Sequence, residues 1–153
     1  MTQETPAIVA DIMTRDIVTL RLEQTLHDGN EAMREHKVRH LPVLDEQGHL
    51  AGLLNQKVVL REALRITDTF GSLHLSRHLG RIPLARAISR DALTLSPETP
   101  LAEAGRQLLA HRQGAMPVVD DDGHLVGIVS SVDFVRLAVT LLDAAEQGTA
   151  SPA

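Results

Sequence analysis

The sequence predicts an α+β fold in which one β-α-β-β-α unit is used twice, and three observations carry that prediction. Sliding the chain against itself by 75 residues aligns residues 9–64 with residues 84–139 without a gap, and an internal repeat of that length decides the architecture before any single element does. Each copy joins two short apolar runs through an Asp-x-x-Gly turn, the pattern of a β-hairpin. Each copy also shows helical spacing on both sides of that hairpin.

The matched positions fall where a fold is punctuated. Arg15-Asp16 meets Arg90-Asp91, Pro42-Val43 meets Pro117-Val118, and Gly48-His49-Leu50 meets Gly123-His124-Leu125. In chain order, residues 1–7 read as a loose arm, 8–13 as one helical turn and 18–20 as a brief strand. Residues 25–36 place Leu26, Gly29, Ala32 and Met33 on one helix face, Gly29 weakening that helix by up to about 1 kcal/mol relative to Ala. The counterpart at 101–111 lacks this weakness, with Thr99 expected as N-cap and Pro100 at the first helical position. Strands follow at 41–44 and 50–54, mirrored by 116–119 and 125–129, and each hairpin leads into a helix, 56–66 and 131 to about 145. The organisation expected is repeat 1 at 8–66, a connector at 67–81, repeat 2 at 82–145, and flexible termini at 1–7 and 146–153.

Composition excludes several classes. Half of a 153-residue chain is near the lower limit for an independent core, so the halves are expected to pack on each other. A net charge of −5 without any Lys or Arg run argues against a nucleic-acid or anionic-membrane surface. Zero cysteines exclude a disulfide framework and thiolate chemistry, and fit a reducing compartment. With no leader-like start and no apolar segment near the roughly 18 residues of a membrane span, a cytoplasmic protein is expected. Phe70 and Phe134 are the only residues among Phe, Trp and Tyr, so the core is aliphatic.

Few residues carry chemistry. Ser130 and Asp133 form Ser-x-x-Asp between an apolar strand and a helix, which is a capping box or, where a crevice opens at the helix start, a site for ligand hydroxyls or phosphate. Spacing alone favours the cap. His74 and His78 have the spacing of a two-histidine metal pair, but no third ligand stands nearby, and they read as surface residues. The sequence offers no paired carboxylates, Cys/His or Ser/His/Asp set, or Gly-rich phosphate loop, so neither catalysis nor a bound metal or cofactor is expected.

The ordered motifs Ile-Met-Thr-Arg-Asp (12–16), Val-Thr-Leu (18–20), Val-Arg-His-Leu-Pro-Val-Leu-Asp (38–45), Gly-His-Leu-x-Gly (48–52 and 123–127) and Gly-Ile-Val-Ser-x-x-Asp (127–133) resemble a tandem pair of cystathionine-β-synthase (CBS) domains, the Bateman module. The resemblance spans residues 8–145. It implies two β-α-β-β-α repeats packed as a pseudo-twofold pair, with clefts that bind AMP, ADP, ATP or S-adenosylmethionine, and modules that join as homodimers. It also implies that Ser130 and Asp133 hold ribose and phosphate, while Thr94, Ala115 and Pro117 line the base and phosphate region. Repeat 1 departs from the pattern, with Asn55 and Val58 in place of the hydroxyl and the carboxylate. Conversely, Arg39 and His40 stand where repeat 2 has Gly114 and Ala115, and the expectation is that a pseudo-twofold brings the basic pair and the Ser/Asp pair to one cleft. The function implied is a nucleotide sensor signalling to a separate effector protein. The alternative is a structural dimerisation module with vestigial sites.

Overall fold

The computed structural model describes residues 5–150, and they form two units. One holds the residues up to Arg15, Leu93–Asp120 and the chain from Val126; the other holds Asp16–Ala92 and Asp121–Leu125. These cuts do not follow the repeats. The leading segment of each copy is built into the unit that carries the other copy's hairpin.

In the unit centred on the first hairpin, β1 (Leu20–Arg21) pairs in parallel with β2 (His40–Leu44), and β2 pairs antiparallel with β3 (Leu50–Asn55). The turn between β2 and β3 forms as its sequence predicts: Asp45 Oδ1 accepts from the N–H groups of Gln47 and His49 at 2.9 and 3.0 Å, and Gly48 takes φ 80°. α1 (Leu26–His36) starts at Thr25, whose box with Asp28 satisfies the helix's first donors. Gly29 is there for space, since a Cβ would meet Leu54 Cδ2 at 2.6 Å. α2 (Gln56–Phe70) runs four residues past its expected end. The Thr67 and Thr69 hydroxyls bond back to Ala63 O and Arg65 O, and Gly71 at φ 78° ends it. The connector then forms α3 (Leu75–Leu79), and the second repeat opens with α4 (Leu84–Ala87). The His78 ring stacks on Phe70 with centroids 4.4 Å apart.

The core of this unit joins Leu20, Leu26, Leu41, Val43, Leu54 and Ile66 to Leu79 and Leu84. Leu84 is fully buried although it belongs to the second repeat, and burying a leucine contributes about 1.5–3 kcal/mol. Ser89 follows it in, exchanging backbone hydrogen bonds with Leu53. Where it crosses β3, Gly52 leaves room.

The other unit repeats the plan. A 3-10 turn (Val9–Asp11), α5 (Leu101–His111), β4 (Ala115–Val119), β5 (Leu125–Ser130) and α6 (Ser131–Ala150) make it up. The expected strand before α5 shrinks to one parallel bridge, Leu95 with Val118, held by Leu95 N–H to Pro117 O and Val119 N–H to Leu95 O, both at 2.9 Å. Pro100, not Thr99, is the N-cap of α5 and makes no side-chain cap bond. The Thr99 hydroxyl instead accepts from Ser96 N–H. Val9 and Met13 enter the core beside Leu95, Leu101, Ala104, Met116, Val118 and Val129, and Thr14 exchanges backbone hydrogen bonds with Ile128. Ala7, expected in a loose arm, is tied down: its N–H donates to Asp11 Oδ2 and its carbonyl accepts from Leu101.

α6 continues through residues 146–150, expected as part of a flexible terminus, because Ala144, Ala145, Glu146 and Gln147 are good helix formers. Residues 1–4 and 151–153 of the expected flexible termini lie outside the described residues. Phe134 and Leu137 of α6 pack on the core, whereas Val132, Val135, Val139, Leu141 and Leu142 are exposed.

Candidate functional site

β5 delivers Ser130 directly to the first turn of α6. The Ser130 N–H donates to Asp133 Oδ2 at 2.7 Å, and the Ser130 hydroxyl donates to the same oxygen at 3.2 Å. Asp133 is the third residue of the helix, so its carboxylate sits at the positive end of the helix dipole. Its side chain is only 10% exposed, and Oδ1 lies 4.0 Å from Arg136 Nη1. One carboxylate oxygen thus serves the cap, while the other keeps acceptor capacity at the junction.

Thr25 and Asp28 show what a cap alone looks like. They make the same two bonds at 2.9 and 3.1 Å and add Asp28 N–H to Thr25 Oγ1 at 3.4 Å. The geometry at Ser130 is therefore that of a cap built from its acidic half, and a ligand role has to come from surroundings. At the equivalent junction of the other unit, Asn55 Oδ1 accepts from Val58 N–H at 3.0 Å. That is the opposite half of the same box, and it leaves no carboxylate there.

One backbone bond fixes the surroundings in both units. Ser131 N–H donates to Gly114 O at 3.2 Å, and Gln56 N–H donates to Arg39 O at 2.9 Å. Each holds the start of a strand against a helix start. Gly114 and Ala115 therefore flank Ser130, while Arg39 and His40 flank Asn55, with His40 directly opposite Asn55 in the β2–β3 register. Arg39 is exposed and His40 half-buried. Ala115 and Pro117 are buried. Thr94 is exposed beside Leu95, which the bridge to Val118 holds against β4.

Gln113 is the residue that sequence reasoning missed. Its Nε2 donates to Leu93 O and Ala115 O, each at 2.9 Å, and its Oε1 accepts from Leu93 N–H at 2.9 Å. The amide clamps the segment carrying Thr94 to the start of β4. The equivalent residue in repeat 1 is Val38, which has no such bonds to make. The only signal was that substitution, and no motif marks it. In the second hairpin turn, Asp120, Asp122 and His124 bring ligand atoms within 4.8 Å of one another; exposed acidic turns commonly do this without an ion. No helix among the described residues is long and apolar enough to cross a membrane.

Residues 9–65 and 84–140 each match the CBS domain, and the chain belongs to that family as a tandem pair of repeats. It is 29% identical over 143 residues to the CBS domain-containing protein YhcV of Bacillus subtilis, covering 93% of this chain and 91% of that protein. Its fold is similar to the CBS-pair protein CBSX2 of Arabidopsis thaliana, with TM-score 0.77, 29% identity, and coverage of 91% and 99%. A crystal structure of CBSX2 in complex with AMP matches with TM-score 0.74 at 26% identity, covering 89% of this chain and 98% of that one. Other relatives are far longer: the chain spans about a quarter of the homoserine O-acetyltransferase of Methanococcoides burtonii, at 31% identity over 84% of this chain and 24% of that enzyme.

Proposed function

We propose that the chain is a regulatory module that binds an adenosine-containing nucleotide, AMP, ADP, ATP or S-adenosylmethionine, at the β5–α6 junction, and has no catalytic activity of its own. The observation that carries this is the Asp133 carboxylate, nearly buried at a helix N-terminus with one oxygen beyond its cap, suited to accept from the two hydroxyls of a ribose. The AMP held by CBSX2 supports the ligand class. In this reading Ser130 and Asp133 take the ribose, Gly114 and Ala115 keep the junction open, and Thr94 borders the base. The module acts as a homodimer in a reducing cytoplasm and passes its ligand state to a separate effector protein.

A thermal-shift panel of AMP, ADP, ATP, S-adenosylmethionine and NAD tests this. A true ligand at a hundredfold excess over its dissociation constant adds about 2.7 kcal/mol of stability, and Asp133→Ala removes the response. A panel without any stabilising nucleotide would leave the dimerisation module as the better reading.

A further inference from the structure

Residues 69–90 carry four arginines and two histidines and no acid, although the protein as a whole has a net charge of −5. Arg77, Arg81, Arg86 and Arg90 recur every four or five residues, so they make no run along the sequence, and all four are exposed. They stand on anchored backbone, because Leu79 of α3 and Leu84 of α4 are buried in the core. Arg90 Nη2 donates to Ala85 O at 3.1 Å, which draws it back to the helix that carries Arg86. Among the described residues, Arg77, Arg81 and Arg86 form no ion pair, whereas Arg34 and Arg65 are held by Glu31 and Glu62 of their own helices at 3.5 and 2.8 Å. Two apolar groups adjoin these cations. Leu73 is 84% exposed just ahead of α3, and Phe70, 60% exposed, stacks on His78 of α3.

We propose that this surface, formed by α3, α4 and the end of α2, docks an acidic, leucine-bearing segment of the separate effector protein, which gives the partner of the reading above its chemistry and rests on that reading. Arginine and aromatic side chains around an apolar centre are the groups that dominate protein interfaces. An arginine without a partner in its own chain meets a carboxylate without first giving one up, and its planar fork takes both carboxylate oxygens. A patch of one sign also steers an acidic partner toward it and away from the negative remainder of the chain. Phosphate surfaces fit less well. A phosphate backbone gives Leu73 nothing apolar to bury against, and α3 turns its own Leu75 and Leu79 to the core, so it keeps no apolar face to lie in a membrane interface.

Fluorescence anisotropy on the full chain tests this, with a labelled peptide of glutamate and leucine as the probe, a lysine and leucine peptide as its control, and duplex DNA and phosphatidylglycerol vesicles as competitors. The acidic peptide is expected to bind, and to bind less tightly as ionic strength rises. R77E/R81E should weaken it about tenfold, and Leu73→Ser should weaken it at every ionic strength. Circular dichroism checks that each variant keeps its helix content, and the salt dependence of the unsubstituted protein stands whether or not they do. No binding of the acidic peptide, equal binding of the lysine peptide, or a folded R77E/R81E or Leu73→Ser protein that binds as before would overturn the proposal. Tighter capture by DNA or vesicles would assign the arginines to phosphates, and altered self-association of R77E/R81E in light scattering would assign them to a second copy; either overturns it too. AMP stabilisation is read on the same preparations. Its absence beside intact peptide binding would overturn the nucleotide reading and leave the docking surface standing.

Discussion

Thr14 and Ile128 exchange both of their backbone hydrogen bonds, at 2.9 and 3.0 Å, although they come from different copies of the repeat. Leu53 and Ser89 do the same at 3.0 and 3.1 Å, at the positions related by the repeat. Each copy's leading segment is thus an edge partner for the other copy's second hairpin strand. Neither core is complete alone: one needs Val9 and Met13, the other Leu84. For repeats of this size, near the lower limit for a self-sufficient core, such an exchange adds the missing apolar surface.

The crossings require glycine, and the two glycines should differ in cost. A Cβ at Gly52 would stand 2.6 Å from the backbone oxygen of Ser89, which cannot move aside, whereas at Gly127 it would stand 2.5 Å from the flexible Met13 Sδ. Gly52→Ala is expected to destabilise by about 1–3 kcal/mol, and Gly127→Ala by less, as read from urea unfolding midpoints. The reverse order would mean that the Met13 side chain, rather than the Ser89 backbone, is the rigid neighbour.

Asp133→Asn separates cap from ligand site more finely than alanine does. An amide oxygen can still accept from Ser130 N–H, so stability should fall by no more than about 1 kcal/mol. AMP affinity should fall roughly ten- to a hundredfold, because a ribose hydroxyl loses its charged acceptor. Equal, small effects on both would assign Asp133 to the cap alone.

Stoichiometry tests the difference between the two junctions. Val58 stands where repeat 2 has Asp133 and offers no side-chain hydrogen bond, so calorimetry is expected to return one strong adenosine ligand per chain. Two equal sites would show that a carboxylate at this position is dispensable.

Gln113→Leu keeps the volume and removes the clamp. The Leu93 N–H and carbonyl and the Ala115 carbonyl lose their partner, at a cost of about 1–3 kcal/mol for each group left buried and unpaired. AMP affinity should drop as well, because the segment bearing Thr94 is no longer held against β4. Thermal unfolding and calorimetry on one preparation read both effects.

Asp11 links the N-terminal residues to pH. Backbone N–H groups of Ala7, first, and Ile8 donate to its carboxylate and hold its pKa below the ordinary value. A group lowered in the folded state contributes stability above the ordinary carboxylate range and loses it as pH falls through the lowered value. Amide exchange at Ala7 and Ile8, corrected for the intrinsic pH dependence, should therefore rise on acidification below about pH 4. In Asp11→Asn that rise should be absent.

The repeat, both hairpins and the four long helices were legible in the sequence because each rests on short-range signals. Apolar spacing marks the helix faces, Asp45 and Gly48 close the turn within a few residues, and Thr25 or Asn55 opens the helix beside it. Ser130 and Asp133 were legible as a pair for the same reason, since the bond joining them spans only three positions. Which copy a segment packs into was decided only in the tertiary structure. The two copies share one pattern, so residues 8–13 suit either hairpin by spacing, and the choice is made by long-range burial of Val9 and Met13 and by bonds such as Thr14 to Ile128. Gln113 stayed hidden for a related reason. Its partner at Leu93 lies 20 residues away, and a side chain that satisfies distant backbone groups leaves no period or motif in the sequence around it.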